Sequence, residues 1–261
     1  MIMTSSAAQP KTVALFISDL HLQTALPRTT QAFFDFIEQH AVHTSRLYLL
    51  GDIFEYWAGD DDIDTPYHRS IVDALHGLVA RGVELYWIAG NRDFLAGAGF
   101  AAATGATMLE DGHVISLAGR SITLAHGDAQ CTDDTAYMAF RAQIRQPAWQ
   151  QQFLSMPLAQ RKAIIEGVRQ TSKDAGKEKA AEIMDVNAVA IDALFVQSAN
   201  QVLIHGHTHR PALHVEQVGG QQRLRYVLSD WEYDVTPARG GWISLTEDGA
   251  LHRFDAQGNL L

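Results

Sequence analysis

Cysteine is nearly missing from this 261-residue sequence: Cys131 stands alone, so no internal disulfide is possible. No positively charged stretch followed by an apolar segment opens the chain. Together these absences favour a reducing, cytoplasmic setting over secretion. No apolar run approaches the roughly 18 residues of a membrane-spanning helix, so contact with a bilayer has to be peripheral. Positive charge is in deficit, with 20 Lys+Arg against 30 Asp+Glu and a net charge of −10. That balance argues against a surface that wraps nucleic acid and suits a protein that binds cations. Internal repeats and low-complexity tracts are absent too. What remains is a chain that is 47% hydrophobic, ample for a sizeable buried core, most simply one α/β domain with an insertion.

Residues 1–10, rich in Ser, Ala and Gln, read as a disordered start. Short apolar runs at Val13–Ile17, Leu47–Leu50, Val83–Ala89 and Ile122–Ala125 read as buried strands, with helices expected over 29–41 and 67–81. Residues 133–198 turn helical, with segments expected at 133–145, 147–155, 157–172 and 180–197. This divides the chain into a core, 11–132 and 199–261, and a helical insertion. A strand at Gln201–Ile204 follows, then hairpins from Leu213 with a turn at Gly219-Gly220.

Five strands stop at residues able to bind hard or borderline divalent metals. The blocks are Asp19-Leu20-His21, Gly51-Asp52, Gly90-Asn91-Arg92-Asp93, His126-Gly127-Asp128 and His205-Gly206-His207-Thr208-His209. Ligand sites in layered α/β sheets gather at the carboxyl ends of strands. Mixed imidazole and carboxylate donors suit manganese, iron or zinc better than calcium, and no cysteine cluster marks a structural zinc. Each block has a plainer reading, since Asp and Asn after a strand form turns and cap helices. Turn chemistry alone does not produce five such blocks, four of them containing a glycine. Cys131 reads as a small packing residue.

The five blocks resemble the calcineurin-like metallophosphoesterase family, whose pattern is D-x-H, G-D, G-N-[HR]-[DE], H and G-H-x-H. The resemblance implies an α/β (α+β) fold: a four-layer β-sandwich flanked by helices. It implies one metal held by Asp19, His21, Asp52 and His207, and a second by Asp52, Asn91, His126 and His205, with Asp52 shared. Two such ions activate water, clamp phosphate oxygens and neutralise charge during in-line displacement. On this reading Asp52, Asn91, Arg92 and His126 carry the chemistry.

Many members of the family have His where this chain has Arg92. Arg is a poor proton donor at neutral pH but holds phosphate oxygens in its planar fork. Cleaving a pyrophosphate releases a phosphate whose second pKa is about 6, which needs little acid help. Arg92 therefore points to a phosphoanhydride, the alternative being an Arg that pairs with Asp93. The insertion adds eight basic residues, Arg141, Arg145, Arg161, Lys162, Arg169, Lys173, Lys177 and Lys179, against Glu166, Asp174 and Glu178. Interleaved apolar residues such as Trp149, Phe153 and Ile165 make it fit a phosphorylated lipid or a membrane surface. Ordinary amphipathic helices would give the same pattern.

Longer strings, GDIFEYWAGDDD, GNRDFL, HGDAQCTDD, AIIEGVRQTSK, EIMDVN and LIHGHTHRPA, are similar to one branch of the family, the UDP-2,3-diacylglucosamine hydrolases of the lipid A pathway. That resemblance implies water attack on the α-phosphorus of a nucleotide-activated glycolipid, releasing UMP and 2,3-diacylglucosamine 1-phosphate. It implies two Mn2+ per subunit, a monomer, and a peripheral place on the cytoplasmic face of the inner membrane. It implies a helical lid over the acyl chains, with Asn91, Arg92, Asp134, Ser172, Lys179 and His205 contacting substrate. Asp134 and Ser172 also read as helix caps. Gly176 departs from the branch, which often has Asn there. The competing expectations are another phosphoesterase on the same scaffold, such as a protein phosphatase, nuclease or dinucleoside tetraphosphatase, and a non-catalytic scaffold with a degraded metal centre.

Overall fold

A computed structural model describes residues 10–176 and 185–261, with side chains 170–176 also left undescribed. The expected disordered start falls, apart from Pro10, outside the described residues.

The apolar runs form strands whose two faces are both buried. Strands β1 (Thr12–Ile17), β2 (Arg46–Leu49), β3 (Glu84–Ile88) and β4 (Thr107–Leu109) pair in parallel. The antiparallel β10 (Gly241–Thr246) and β11 (Leu251–Asp255) complete a six-stranded sheet in the order β11-β10-β1-β2-β3-β4. The second sheet takes β5 (His113–Leu117), β6 (Arg120–Leu124), β7 (Val202–His205), β8 (Ala212–Val218) and β9 (Gln221–Val227), in the order β5-β6-β7-β9-β8.

Because side chains alternate along a strand, each sheet contributes to two cores. Ala14, Phe16, Tyr48 and Ile88 of the first sheet pack with Ile122, Leu124, Val202 and Ile204 of the second. Leu15, Ile17, Leu47, Leu49, Leu85 and Trp87 point the other way. They meet Phe33, Phe36 and Ile37 of α1 (Pro27–Gln39), Ile71, Val72, Leu75 and Leu78 of α2 (Pro66–Ala80), and Phe100 of α3 (Ala98–Thr104). The outer face of the second sheet is covered later in the chain. The result is helix, sheet, sheet, helix, the four-layer arrangement expected.

Helices α1 and α2 begin at Pro27 and Pro66, where a missing amide hydrogen costs nothing and the fixed φ suits a first turn. The alanine-rich α3 and the short β4 and β5 have no counterpart among the sequence expectations, since three to seven half-exposed residues show too little periodicity.

After β6 come α4 (Thr135–Ile144), α5 (Pro147–Leu154) and α6 (Leu158–Gly176), close to the expected segments. The fourth, α7 (Ala188–Ser198), begins where Asn187 accepts hydrogen bonds from the amides of Val189 and Ala190; the earlier start expected at 180 lies outside the described residues. Its Ile191 and Phe195 pack on Ala125, Leu203 and Val218, covering the second sheet.

Candidate metal centre

The strand-end residues share an unusual backbone. Asp19, His21, Asp52, His207 and His209 all have positive φ, between 48° and 67°. For residues with a Cβ this left-handed conformation costs on the order of 1 kcal/mol or more each, and it persists only where the surroundings impose it. They do. The amide of Asp19 donates to the Gly51 carbonyl at 3.0 Å, that of His21 to Asp52 at 3.0 Å, and that of Leu22 to Ile53 at 2.9 Å, locking the β1 and β2 loops side by side. The amide of Gly206 donates to His126 at 2.8 Å and that of Leu228 to His205 at 2.8 Å, fixing the loops of the second sheet. Two glycines permit this closeness. A Cβ on Gly90 would lie 2.1 Å from Oδ1 of Asp52, and one on Gly206 would lie 2.2 Å from Oδ2 of Asp19.

Metal-binding atoms converge in two groups, each with its donors within 4.8 Å of one another: Asp19 with His21 and His209, and Asp52 with His126 and His207. In the first, Nε2 of His21 and Nε2 of His209 are 3.2 Å apart, and Nε2 of His209 is 3.5 Å from Oδ1 of Asp19. Oδ1 of Asp19 is buried and accepts no hydrogen bond among the described residues, while Oδ2 accepts from the His207 amide at 2.9 Å. In the second, Nδ1 of His126 lies 2.9 Å from the Leu50 carbonyl, which turns Nε2 towards Oδ1 of Asn91 at 3.0 Å and Oδ1 of Asp52 at 3.7 Å. A buried oxygen without a donor, and acceptors aimed at one another, are the signature of a cation site.

The carboxylates give the pocket the negative field that a cation requires. Burial pushes the His126 imidazolium down, but the carboxylates of Asp52, Asp19 and Asp128 outweigh it and raise the pKa to about 9. Burial dominates at His205 and His207, lowering them to about 3 and about 4, so both are neutral and ready to ligate. Asp93 accepts the amides of Ile53 and Gly90, both at 2.8 Å, and thereby fixes the loops around Asp52. Its carboxylate is therefore committed to the backbone and is not the partner of Arg92. Instead Nε of Arg92 is buried with no hydrogen-bond partner among the described residues, and its amide donates to Oδ1 of Asp52 at 2.8 Å.

A cavity of about 920 Å3 opens beside these groups. His207, His209, Asn91, Arg92 and Glu55 form its polar end; Phe94, Phe140, Trp149, Phe153 and Ile165 form its apolar end. Helices α4, α5 and α6 roof it. Five of the eight basic residues of this insertion latch to the protein itself, as ordinary packed helices would, while Lys173, Lys177 and Lys179 have side chains outside the described residues. Arg141 donates from Nε to Asp128 at 2.8 Å and pairs with Asp111 at 3.4 Å. Arg145 donates to the Gly90 carbonyl at 2.8 Å. Arg161 is 1% exposed and bonds the Ala58 carbonyl and Asp61. Lys162 sits 2.5 Å from Asp62, and Arg169 pairs with Glu55.

Of the residues expected to ligate metal, the fold brings six together: Asp19, His21, Asp52, Asn91, His126 and His207. His205 lies at the end of β7, buried, outside both groups; Nδ1 is 2.9 Å from the Gly206 carbonyl and Nε2 faces Arg225 at 3.4 Å. Of the expected substrate contacts, Asn91, Arg92 and Asp134 line the cavity, and Asp134 also caps α4 by accepting the Tyr137 amide at 3.0 Å. Lys179 and the Ser172 side chain lie outside the described residues. Cys131 is buried, its thiol pushed up to about 12 by burial and by carboxylates led by Asp128, which fits a packing residue. Two residues were not assigned from the sequence. His209 closes the block His205-Gly206-His207-Thr208-His209 but was left out of the ligand sets, though the spacing extends to it. Glu55, three residues past Asp52 in an apolar context, offers no local pattern.

The model of the calcineurin-like phosphoesterases matches residues 13–211, three quarters of the chain and every block of the centre. The chain belongs to that family. Among curated relatives of this phosphoesterase, the UDP-2,3-diacylglucosamine hydrolase of Aromatoleum aromaticum is 50% identical over 85% of this chain and 90% of the relative. That of Chromohalobacter salexigens is 46% identical over 92% and 95%, and that of Cellvibrio japonicus 47% identical over 84% and 91%. None of the helices among the described residues is long and apolar enough to cross a membrane.

Proposed function

We propose that this phosphoesterase is a UDP-2,3-diacylglucosamine hydrolase, splitting the pyrophosphate of a nucleotide-activated glycolipid to give UMP and 2,3-diacylglucosamine 1-phosphate. One observation carries the reading beyond the family: both groups of converging donors open onto the same roofed, apolar-ended cavity. A chamber that joins a charged end to an aromatic and aliphatic end matches a substrate with phosphates on one side and acyl chains on the other. The relatives named for this substrate span at least 84% of the chain, insertion included.

Asp19, His21, Asp52, Asn91, His126 and His207 would hold two divalent cations, Mn2+ being the expected metal, with His209 adjoining the first group; His205, outside both groups here, would reach the second only by turning Nε2 away from Arg225. When bound, such a pair supplies a hydroxide-like nucleophile and stabilises charge on the phosphate oxygens. Asp52 would be the residue shared by the two, since Oδ1 faces His126 and its loop abuts Asp19 and His21. Arg92, placed on the cavity wall with an unpartnered buried Nε, clamps phosphate oxygens and stabilises the departing phosphate, which leaves without needing a proton. Asn91 and Asp134, both on the cavity wall, orient the substrate, whereas His205, expected to contact it, is buried off the wall. Helices α4 to α6 serve as the lid, with Phe140, Trp149 and Phe153 against the acyl chains. The enzyme then works as a peripheral protein at the inner face of the membrane where its lipid resides, without nucleic acid.

The deciding experiment follows UMP release from UDP-2,3-diacylglucosamine with and without Mn2+. Metal-dependent UMP is expected. Hydrolysis of simple phosphomonoesters with no UMP from the glycolipid would replace this reading with that of a general phosphatase.

A further inference from the structure

Glu55 stands where three parts of the molecule meet. Its Oε2 is 3.1 Å from Nδ1 of His21, an ion-pair contact short of hydrogen-bond alignment, and the other nitrogen of His21 faces the first group of metal donors. Its Oε1 bonds the guanidinium of Arg169, on lid helix α6. Its side chain also lines the cavity. The backbone holds it there: the Glu55 amide donates to the Leu22 carbonyl at 3.2 Å, and Leu22 bridges Phe54, so Glu55 and His21 ride on two strand-end loops bonded to each other. Arg169 is as firmly placed, 9% exposed, with Nη1 on Glu166 at 2.8 Å and its plane 5.4 Å over the Tyr56 ring.

We infer that Glu55 is a positioning residue that ties lid helix α6, through Arg169, to the first metal site, through His21. The inference rests on the reading of the centre given above. A carboxylate on the far nitrogen of a ligating imidazole fixes its tautomer and orientation and strengthens it as a ligand. Here the same carboxylate spends its second oxygen on the lid. Seating α6 holds Glu55 against His21, and a displaced α6 leaves Glu55 free to turn away. Lid seating by the glycolipid and affinity for the first cation are therefore coupled, and such coupling acts equally in both directions.

The test titrates Mn2+ into the metal-free protein, reading free Mn2+ by electron paramagnetic resonance, with and without the diacylglucosamine phosphate product. In the wild type the product tightens the weaker Mn2+ step. Glu55→Ala is expected to weaken that step about 10- to 100-fold, the range for loss of such a supporting carboxylate. Arg169→Met should weaken the same step in the absence of lipid, by less than Glu55→Ala, and lose the tightening, and Arg169→Lys should recover part of both. Should Glu55→Ala unfold, as judged by circular dichroism, the two Arg169 variants still decide. Product tightening that survives in Arg169→Met, or unchanged Mn2+ binding in a folded Glu55→Ala, overturns the inference. A wild type that binds no Mn2+ overturns both the inference and the metal assignment beneath it. Wild-type binding with unchanged variants overturns the inference alone.

Discussion

Asp52 illustrates how much a single side chain is asked to do. Oδ1 accepts the Arg92 amide, faces Nε2 of His126 and lies close enough to Gly90 that no Cβ fits between them. Asp52→Ala should strip both cations and abolish turnover, checked by elemental analysis alongside UMP release; bound metal at two equivalents would refute the bridging role. Gly90→Ala tests the same geometry without touching a ligand. Its methyl has to displace the carboxylate, and since misplacing a reacting group by about 1 Å costs on the order of 100-fold, a loss of at least that size in kcat is expected, measured at saturating Mn2+. The candidate donors were legible because Asp, His and Asn interrupt apolar strands, a pattern written in local order. Glu55 was not, because its meaning comes from Arg169, 114 residues away. Nor was the left-handed backbone of Asp19 or His207, which long-range amide contacts impose.

The three lid helices show the same division at the level of elements. Their extents followed from apolar spacing and from Pro147 opening α5. The partners of their charges did not, since a basic residue on a helix reads alike whether it faces a phosphate or an aspartate across the chain. Trp149 stacks on Phe153 at 4.9 Å between ring centroids and lines the cavity, so Trp149→Ala should raise KM for the glycolipid severalfold. Hydrolysis of a small soluble phosphodiester by the same variant should change little; equal losses on both substrates would show that Trp149 supports the fold and not the lipid. The latches also carry a pH dependence. Asp62 is shifted below its ordinary 3.8: burial opposes the shift, but His68 and Lys162 outweigh it. Asp128 is likewise depressed, burial being outweighed by His126 and Arg141. A depressed carboxylate contributes stability that is complete above its unfolded pKa and fades as pH falls through the folded one. Lid protection, followed by limited proteolysis within α4 to α6, should therefore hold at neutral pH and fail as pH falls below about 4.

At the scale of the molecule, the converging groups draw Asp19, His21, Asp52 and Asn91 from the ends of the first sheet's strands and His126, His207 and His209 from those of the second. Cations that bind only the assembled protein stabilise it by mass action, by about 2.7 kcal/mol at a hundredfold excess over Kd. For a chain of this length that is about 5–10 °C in Tm, so chelation should lower the melting temperature by that amount in calorimetry; an unchanged Tm would contradict a site shared by both sheets. The layered architecture was legible from strands that are apolar on both faces. The order of strands in the second sheet was not, because β5 is short and β8 joins at the edge through a hairpin. The split has a further consequence during synthesis. A ribosome makes residues 19–91 early and the histidines of 205–209 late, with the whole lid between them. A growing chain thus carries only half of the candidate centre until translation has passed β7, so its two groups of donors can meet only after helices α4 to α7 have been made.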